Sequence, residues 1–137
     1  MTTQNTIWHN DIHEMHTKFG VREVVSQMPH EKLAKFLEFR LNFLQEELDE
    51  AKTAESAEDV VDAMIDLCVV AIGTLDAFGV NSQEAWTRVH EKNMQKEPGI
   101  KKERPNPLGL PDLIKPEGWT APTHADNVGL LSKLFNE

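Results

Sequence analysis

Tyrosine is absent from the chain, cysteine occurs once, at Cys68, and aromatic residues fill only 7% of its 137 positions. A lone cysteine excludes an internal disulfide; set in an apolar segment it reads as core packing, and a reducing cytoplasm suits it. Basic residues are scarce: 14 Lys and Arg stand against 23 Asp and Glu, a formal net charge of −9. That leaves no basic face to neutralise the phosphates of a nucleic-acid polymer, whereas a small phosphorylated ligand carried with a metal ion stays compatible. The first residues lack the basic-then-apolar pattern of a signal peptide, and the longest uncharged apolar run, Leu67 to Leu75, is too short to cross a bilayer. A cytoplasmic location without a membrane is therefore expected. Neither an internal repeat nor a low-complexity tract is present, and the length suits one domain with one core.

What the chain does contain is acid placed where acid is costly. A helix from about Glu31 to Ala54 puts Phe36, Phe39 and Phe43 on one face and continues that stripe with Glu46, Glu47 and Glu50, while Glu38, Asn42, Gln45, Asp49 and Lys52 form a solvated face. A second helix carries Asp62 and Asp66 in the segment Val60 to Ile72, which is apolar almost all the way round and is expected to be buried. No Lys or Arg occurs between Thr53 and Thr87 to pair with these aspartates. Buried carboxylates without counter-charge need a cation, and hard oxygen donors without His or Cys favour Mg²⁺, with Mn²⁺ able to substitute, over zinc. The bland alternative, a solvated acidic face, fits Glu46 to Glu50 taken alone; the second acidic pair is what weighs against it.

In chain order, residues 1–6 are polar and expected to be loose. Asn10 is placed to cap a helix from about Asp11 to Phe19 that stops at Gly20. On it His9, His13 and His16 share a stripe beside Trp8, Ile12, Met15 and Phe19; a polar flank is the ordinary reading, a transition-metal site the sharper one. Arg40 lies on the apolar side of the long helix, placed to reach a phosphate, to snorkel, or to pair with a glutamate. Ser56 and Asp59 resemble a capping box, and the short connection makes the two acidic helices antiparallel neighbours. Gly73 leaves room on the aspartate face for close packing or a ligand. Asn81 or Ser82 caps a further helix to about Lys96, with Trp86, Val89, His90 and Asn93 on its inner face. Six of the seven prolines lie between Pro98 and Pro122, so no long helix continues there; with Leu108, Leu110, Leu113, Ile114 and Trp119 the segment reads as an extended arm lying on the domain or on a neighbouring subunit. Val128, Leu131, Leu134 and Phe135 suggest a short closing helix. The expected fold class is all-α, an antiparallel helix bundle over residues 1–97 with the proline-rich arm over 98–137.

A di-iron carboxylate centre would need Glu-x-x-His pairs, and no glutamate here is followed by His three positions on; nor is there a calcium loop. Metal-assisted phosphoryl chemistry remains, in which divalent ions bridge protein and phosphate oxygens and one inward glutamate takes a proton from water. Geometry at this stage leaves open which of Glu46, Glu47 and Glu50 does so.

The string Glu46-Glu47-Leu48-Asp49-Glu50, followed by Asp62-Ala63-Met64-Ile65-Asp66, resembles the paired acidic motifs of the MazG-like all-α nucleoside triphosphate pyrophosphohydrolases, a superfamily that includes phosphoribosyl-ATP pyrophosphohydrolase. The runs Val70 to Thr74, Asn93 to Lys96 and Lys115 to Trp119 resemble its compact bacteriophage members, and the similarity spans about Lys32 to Trp119. One departure stands out: many members write the second motif Glu-x-x-Asp, whereas Ala63 precedes Asp66 by three and the acid stands at Asp62. The resemblance implies hydrolysis of (deoxy)nucleoside triphosphates between the α and β phosphates by a homodimer or homotetramer. It implies more than one Mg²⁺ per site held by Glu47, Glu50, Asp62 and Asp66, with Glu46 or Glu47 as base. Substrate contacts are expected from Asn93, Lys96, Arg40 and Trp86. A phosphoribosyl-ATP substrate is the alternative within the enzyme class; a non-catalytic nucleotide-binding or oligomeric helical module is the alternative outside it.

Overall fold

A computed structural model describes residues 7–109 and 111–135, so the expected loose start and Leu110 lie outside the described residues. The described chain is mostly helical, as an all-α protein requires: α1 Ile7–Phe19, α2 Val21–Ser26, α3 His30–Lys52, α4 Ala57–Ala77 and α5 Ser82–Asn93, then two short strands and a 3₁₀ helix, Gly129–Leu134. Among the described residues no single helix is long and apolar enough to cross a membrane. The residues fall into two compact units, one of residues 1–82 with 126–137 and one of residues 83–125.

Local chemistry sets the helix ends of the first unit. Gly20, at φ 69°, separates α1 from α2 in a conformation that glycine adopts without strain. Asn10 does not cap α1; helical hydrogen bonding already runs from Ile7 and Asn10 lies inside the helix. Pro29, extended at ψ 164°, precedes α3, where its missing N–H costs nothing. The Ser56 hydroxyl accepts the Asp59 N–H at 3.1 Å and caps α4, as expected. The four residues 53–56 join α3 to α4, and these two helices pack on each other while α1 packs on α4. The core is Val25, Leu33, Ala77, Phe78 and Val80, flanked by Phe36 and Leu75.

The closing helix anticipated from Val128 to Phe135 is the 3₁₀ helix, and it returns to this core through Leu130, Leu131 and Leu134. Leu130 N–H donates to the Phe78 carbonyl at 2.7 Å, and Asn127 holds Asn81 by both its amide oxygen and nitrogen at 2.9 Å. Gly129 has φ 53°, and a Cβ there would stand 2.2 Å from the Phe78 carbonyl oxygen, which is backbone and cannot swing away. Gly129→Ala is therefore expected to lower unfolding free energy by about 2 kcal/mol, read as a lower urea midpoint at unchanged slope.

In the second unit, α5 ends at Asn93 rather than running to Lys96, and the proline-rich segment contains structure the sequence did not announce: β1 Glu97–Gly99 pairs antiparallel with β2 Asp112–Ile114, Pro98 opposite Leu113. Three-residue strands are too short for alternation to show, and prolines mask them further. Trp119 is the anchor of this unit: its Nε1–H donates to the Lys92 carbonyl at 2.9 Å, and the Lys96 and Lys115 ammonium groups stand 5.2 and 5.3 Å from its ring centroid.

Candidate active site

Going up α3, Arg40, Phe43, Glu47 and Glu50 follow one another at helical spacing, and α4 sets Asp66, Val69, Val70 and Gly73 against them. Of the five stripe acids only Glu47 is buried, at 8% exposure; Glu46, Glu50 and Asp62 are exposed and Asp66 is half-buried. The expectation that all five point inward is thus corrected for Glu46, Glu50 and Asp62: successive helix positions turn by about 100°, so Glu46 faces away from the side on which its neighbour Glu47 is buried.

Four of the five acids divide between two clefts, and Glu46 lines neither. Glu47 and Asp66 line one of about 280 Å³ together with Arg40, Phe43 and residues of α1. Glu50 and Asp62 line another of about 320 Å³ with Asp59 and the connecting residues 53–55. Glu47 links them. Burial pushes its carboxyl above the usual glutamate range, and so do the negative charges of Glu50 and Asp66, a hydrogen bond shared with Glu50 and the charge of Glu46. Its Oε2 is buried without a hydrogen-bond partner.

An orphaned carboxylate oxygen among mutually repelling acids, all with hard oxygen donors, fits a divalent cation. The fit is to a site that an ion would gather: among the described residues no three metal-capable side chains already stand in a ligand cage.

Arg40 adopts none of its expected carboxylate pairings. Its Nε donates to Thr74 Oγ1 and its Nη2 to the Val70 carbonyl, both at 3.0 Å, and its guanidinium lies 5.6 Å from the Phe43 ring centroid. No carboxylate among the described residues comes within 4.0 Å of it. Burial lowers its pKa, yet a guanidinium stays charged, so the cleft holds a fixed cation beside Glu47 and Asp66. Gly73 makes this possible: a Cβ there would stand 2.8 Å from Arg40 Nη2.

Sequence reasoning missed Asp76. It is 3% exposed and accepts from His13 Nδ1 at 2.8 Å, His16 Nδ1 at 2.9 Å and Arg22 Nη1 at 2.6 Å. The His9-His13-His16 stripe is thereby explained as a polar flank: the last two hold Asp76, and His9 Nδ1 meets Ser82 Oγ at 2.7 Å. Burial alone would raise the Asp76 pKa; the bonds from His13, Arg22 and His16 outweigh it and hold the carboxyl below its usual range. The available signal was a fourth aspartate in the cation-free stretch, with its complement spaced along α1 and α2.

Two further expectations are corrected. The helix α4 is not covered on every side within one chain: Val61, Met64 and Ile65 are 63%, 47% and 44% exposed, one stripe beside the aspartate face. In the second unit Trp86 is 69% exposed rather than turned inward, Val89 and His90 are exposed too, Asn93 is half-buried at the end of α5, and Lys96 lies beyond the helix over Trp119.

Residues 12–93 match the family model of phosphoribosyl-ATP pyrophosphohydrolase. No curated protein and no solved structure matches the chain.

Proposed function

The chain belongs to the phosphoribosyl-ATP pyrophosphohydrolase family, within the MazG-like all-α nucleoside triphosphate pyrophosphohydrolase superfamily, and from that membership we propose that it hydrolyses the α–β phosphoanhydride bond of a nucleotide, releasing pyrophosphate. It is a hydrolase of phosphoanhydride bonds; the family match weights the substrate toward phosphoribosyl-ATP over (deoxy)nucleoside triphosphates at large. The observation that carries the reading is the buried, unpartnered Oε2 of Glu47 beside Asp66 and the fixed cation of Arg40.

Glu47, Glu50, Asp62 and Asp66 are the residues that would hold Mg²⁺. When bound, such ions neutralise phosphate charge and lower the pKa of water. Water oxygen bonds to one phosphorus as the bridging P–O bond breaks, the bridging oxygen leaves with the other phosphoryl group, and Glu46 or Glu47 accepts the water's proton. Arg40 supplies positive charge that needs no ion. Pyrophosphate release, measured over phosphoribosyl-ATP and a panel of dNTPs and NTPs with Mg²⁺ or Mn²⁺, tests the assignment. Turnover of at least one is expected, and turnover of none would leave a binding module.

A homo-oligomer completes the reading, because the Val61, Met64 and Ile65 stripe and Phe39, 61% exposed on α3, need covering. Ile65→Glu is expected to shift the sedimentation coefficient to that of a 15.5 kDa monomer, from a dimer or tetramer for the wild type.

A further inference from the structure

We propose that Thr74 is a positioning residue for the acid site: its hydroxyl holds the Arg40 guanidinium along α4 and so keeps that charge from pairing with Asp66 and Glu47. The inference rests on the reading of these acids as ligands of a divalent ion, and adds what keeps them free for it.

Thr74 is buried in α4, where its hydroxyl needs partners. It donates to the Val70 carbonyl one turn earlier at 2.7 Å, the ordinary habit of a helical threonine. That bond uses its one hydrogen and leaves the oxygen to accept, and the Arg40 Nε–H meets it at 3.0 Å. Arg40 Nη2 closes the ring by donating to the same Val70 carbonyl at 3.0 Å. Nε and Nη2 share one edge of the planar fork, an edge with which arginine grips a carboxylate through two parallel bonds. Here α4 occupies it. Gly73 leaves room for this seat, since a Cβ there would stand 2.8 Å from Nη2.

An arginine that lines one cleft with two carboxylates would ordinarily take one of them, because charge-assisted bonds are the strong kind and a half-buried setting strengthens them. Arg40 instead gives its bonds to neutral acceptors, and no carboxylate among the described residues comes within 4.0 Å of it. A pair between Arg40 and Asp66 would put a built-in cation on a group assigned to a divalent ion, and binding the ion would then require breaking that pair. With the fork held on Thr74, the repulsion that Glu50 and Asp66 exert on Glu47 stays unrelieved and favours uptake of a cation. Thr74 thereby acts on the acids only through Arg40.

The test is Mn²⁺ binding to the nucleotide-free full chain, read from the paramagnetic resonance signal of the free ion. Thr74→Val keeps the shape and removes the hydroxyl; it should raise the Mn²⁺ Kd about tenfold, the size of roughly one charge-assisted hydrogen bond. Thr74→Ser keeps the hydroxyl and should leave the Kd near the wild-type value. Adding Arg40→Leu to Thr74→Val removes the competing charge and should return the Kd to that of Arg40→Leu alone, a rescue that damaged packing would not show. The double variant also leaves no guanidinium without a partner, so it should fold even where Thr74→Val alone does not. A second arm uses no metal. The Arg40 Nε–H signal in a ¹⁵N-correlated NMR spectrum, assigned by its loss in Arg40→Leu, should ignore Asp66→Asn and Glu47→Gln when Thr74 is intact. In Thr74→Val it should move with at least one of them. Unchanged Mn²⁺ affinity in Thr74→Val, a loss that Arg40→Leu does not relieve, or an Nε–H signal that ignores both acids in Thr74→Val overturns the proposal. A wild type that takes up no Mn²⁺ overturns the metal reading itself, and the metal-free arm still decides whether Thr74 holds Arg40 off the acids.

Discussion

Glu47→Gln is expected to cut pyrophosphate release by about 10²–10⁴-fold while leaving the protein no less stable. The two halves have one cause. Glu47 is buried among Glu50, Asp66 and Glu46, and its raised pKa says that its charge is unwelcome in the folded chain without a cation. The folded state holds this proton more tightly than the unfolded state, so the Glu47 contribution to stability falls as pH rises through the ordinary glutamate range toward the raised folded value. Glutamine keeps the shape and removes the charge, which relieves that repulsion and with it the ability to hold a divalent ion or take a proton. Asp66→Asn should lower activity in the same direction. In the wild type activity should fall in acid, because Glu47 must be ionised to hold a cation or take a proton. A Glu47→Gln protein that unfolds more readily and works undiminished would show the residue to be structural.

The second large effect is on stability and concerns a residue outside the acidic cluster. Asp76→Ala removes the shared acceptor of His13, His16 and Arg22 and leaves His16 and the Arg22 guanidinium without their partner beside a buried site. Truncating one side of a buried charged network typically costs about 3–5 kcal/mol; with Arg22 28% and His13 52% exposed at their side chains, we expect about 3 kcal/mol. The pH dependence has a definite sign. The Asp76 pKa is depressed in the folded state, so its contribution is fully present above the unfolded carboxyl pKa, about 3.9, and is lost as pH falls through the folded value. The urea midpoints of wild type and Asp76→Ala should therefore be far apart at pH 7 and converge in acid. A constant gap across that range would mean that Asp76 acts through packing and not through charge.

The elements were legible where a local rule fixes them. Gly20 ends α1, Ser56 caps α4, and crowding of prolines after Pro98 excludes a long helix; each depends on neighbours within a few positions. The burial of Glu47 followed from its place on the apolar stripe of α3, whereas Glu46, Glu50 and Asp62, expected on the same grounds to turn inward, are exposed. The same logic failed at Asp76, whose partners lie 54 to 63 positions earlier on α1 and α2, beyond any pattern of spacing. It overreached at α4, since an apolar circumference says that a helix must be covered, not whether its own chain covers it. Val61 and Ile65 show the difference. Arg40 was open to three readings because the choice depended on Thr74 and the Val70 carbonyl, which only packing brings to it.

The claim beneath all of this is that Glu47 and Asp66 persist in their cleft because a divalent cation binds there. Thermal unfolding of the nucleotide-free protein with increasing Mn²⁺ or Mg²⁺ measures this directly, since a ligand that binds only the folded state raises the midpoint, by about 2.7 kcal/mol at a hundred times its Kd. The midpoint should rise saturably for the wild type and stay flat for Glu47→Gln and Asp66→Asn. A wild type whose midpoint ignores both ions up to millimolar concentration, and whose pyrophosphate release continues in excess chelator, would contradict it.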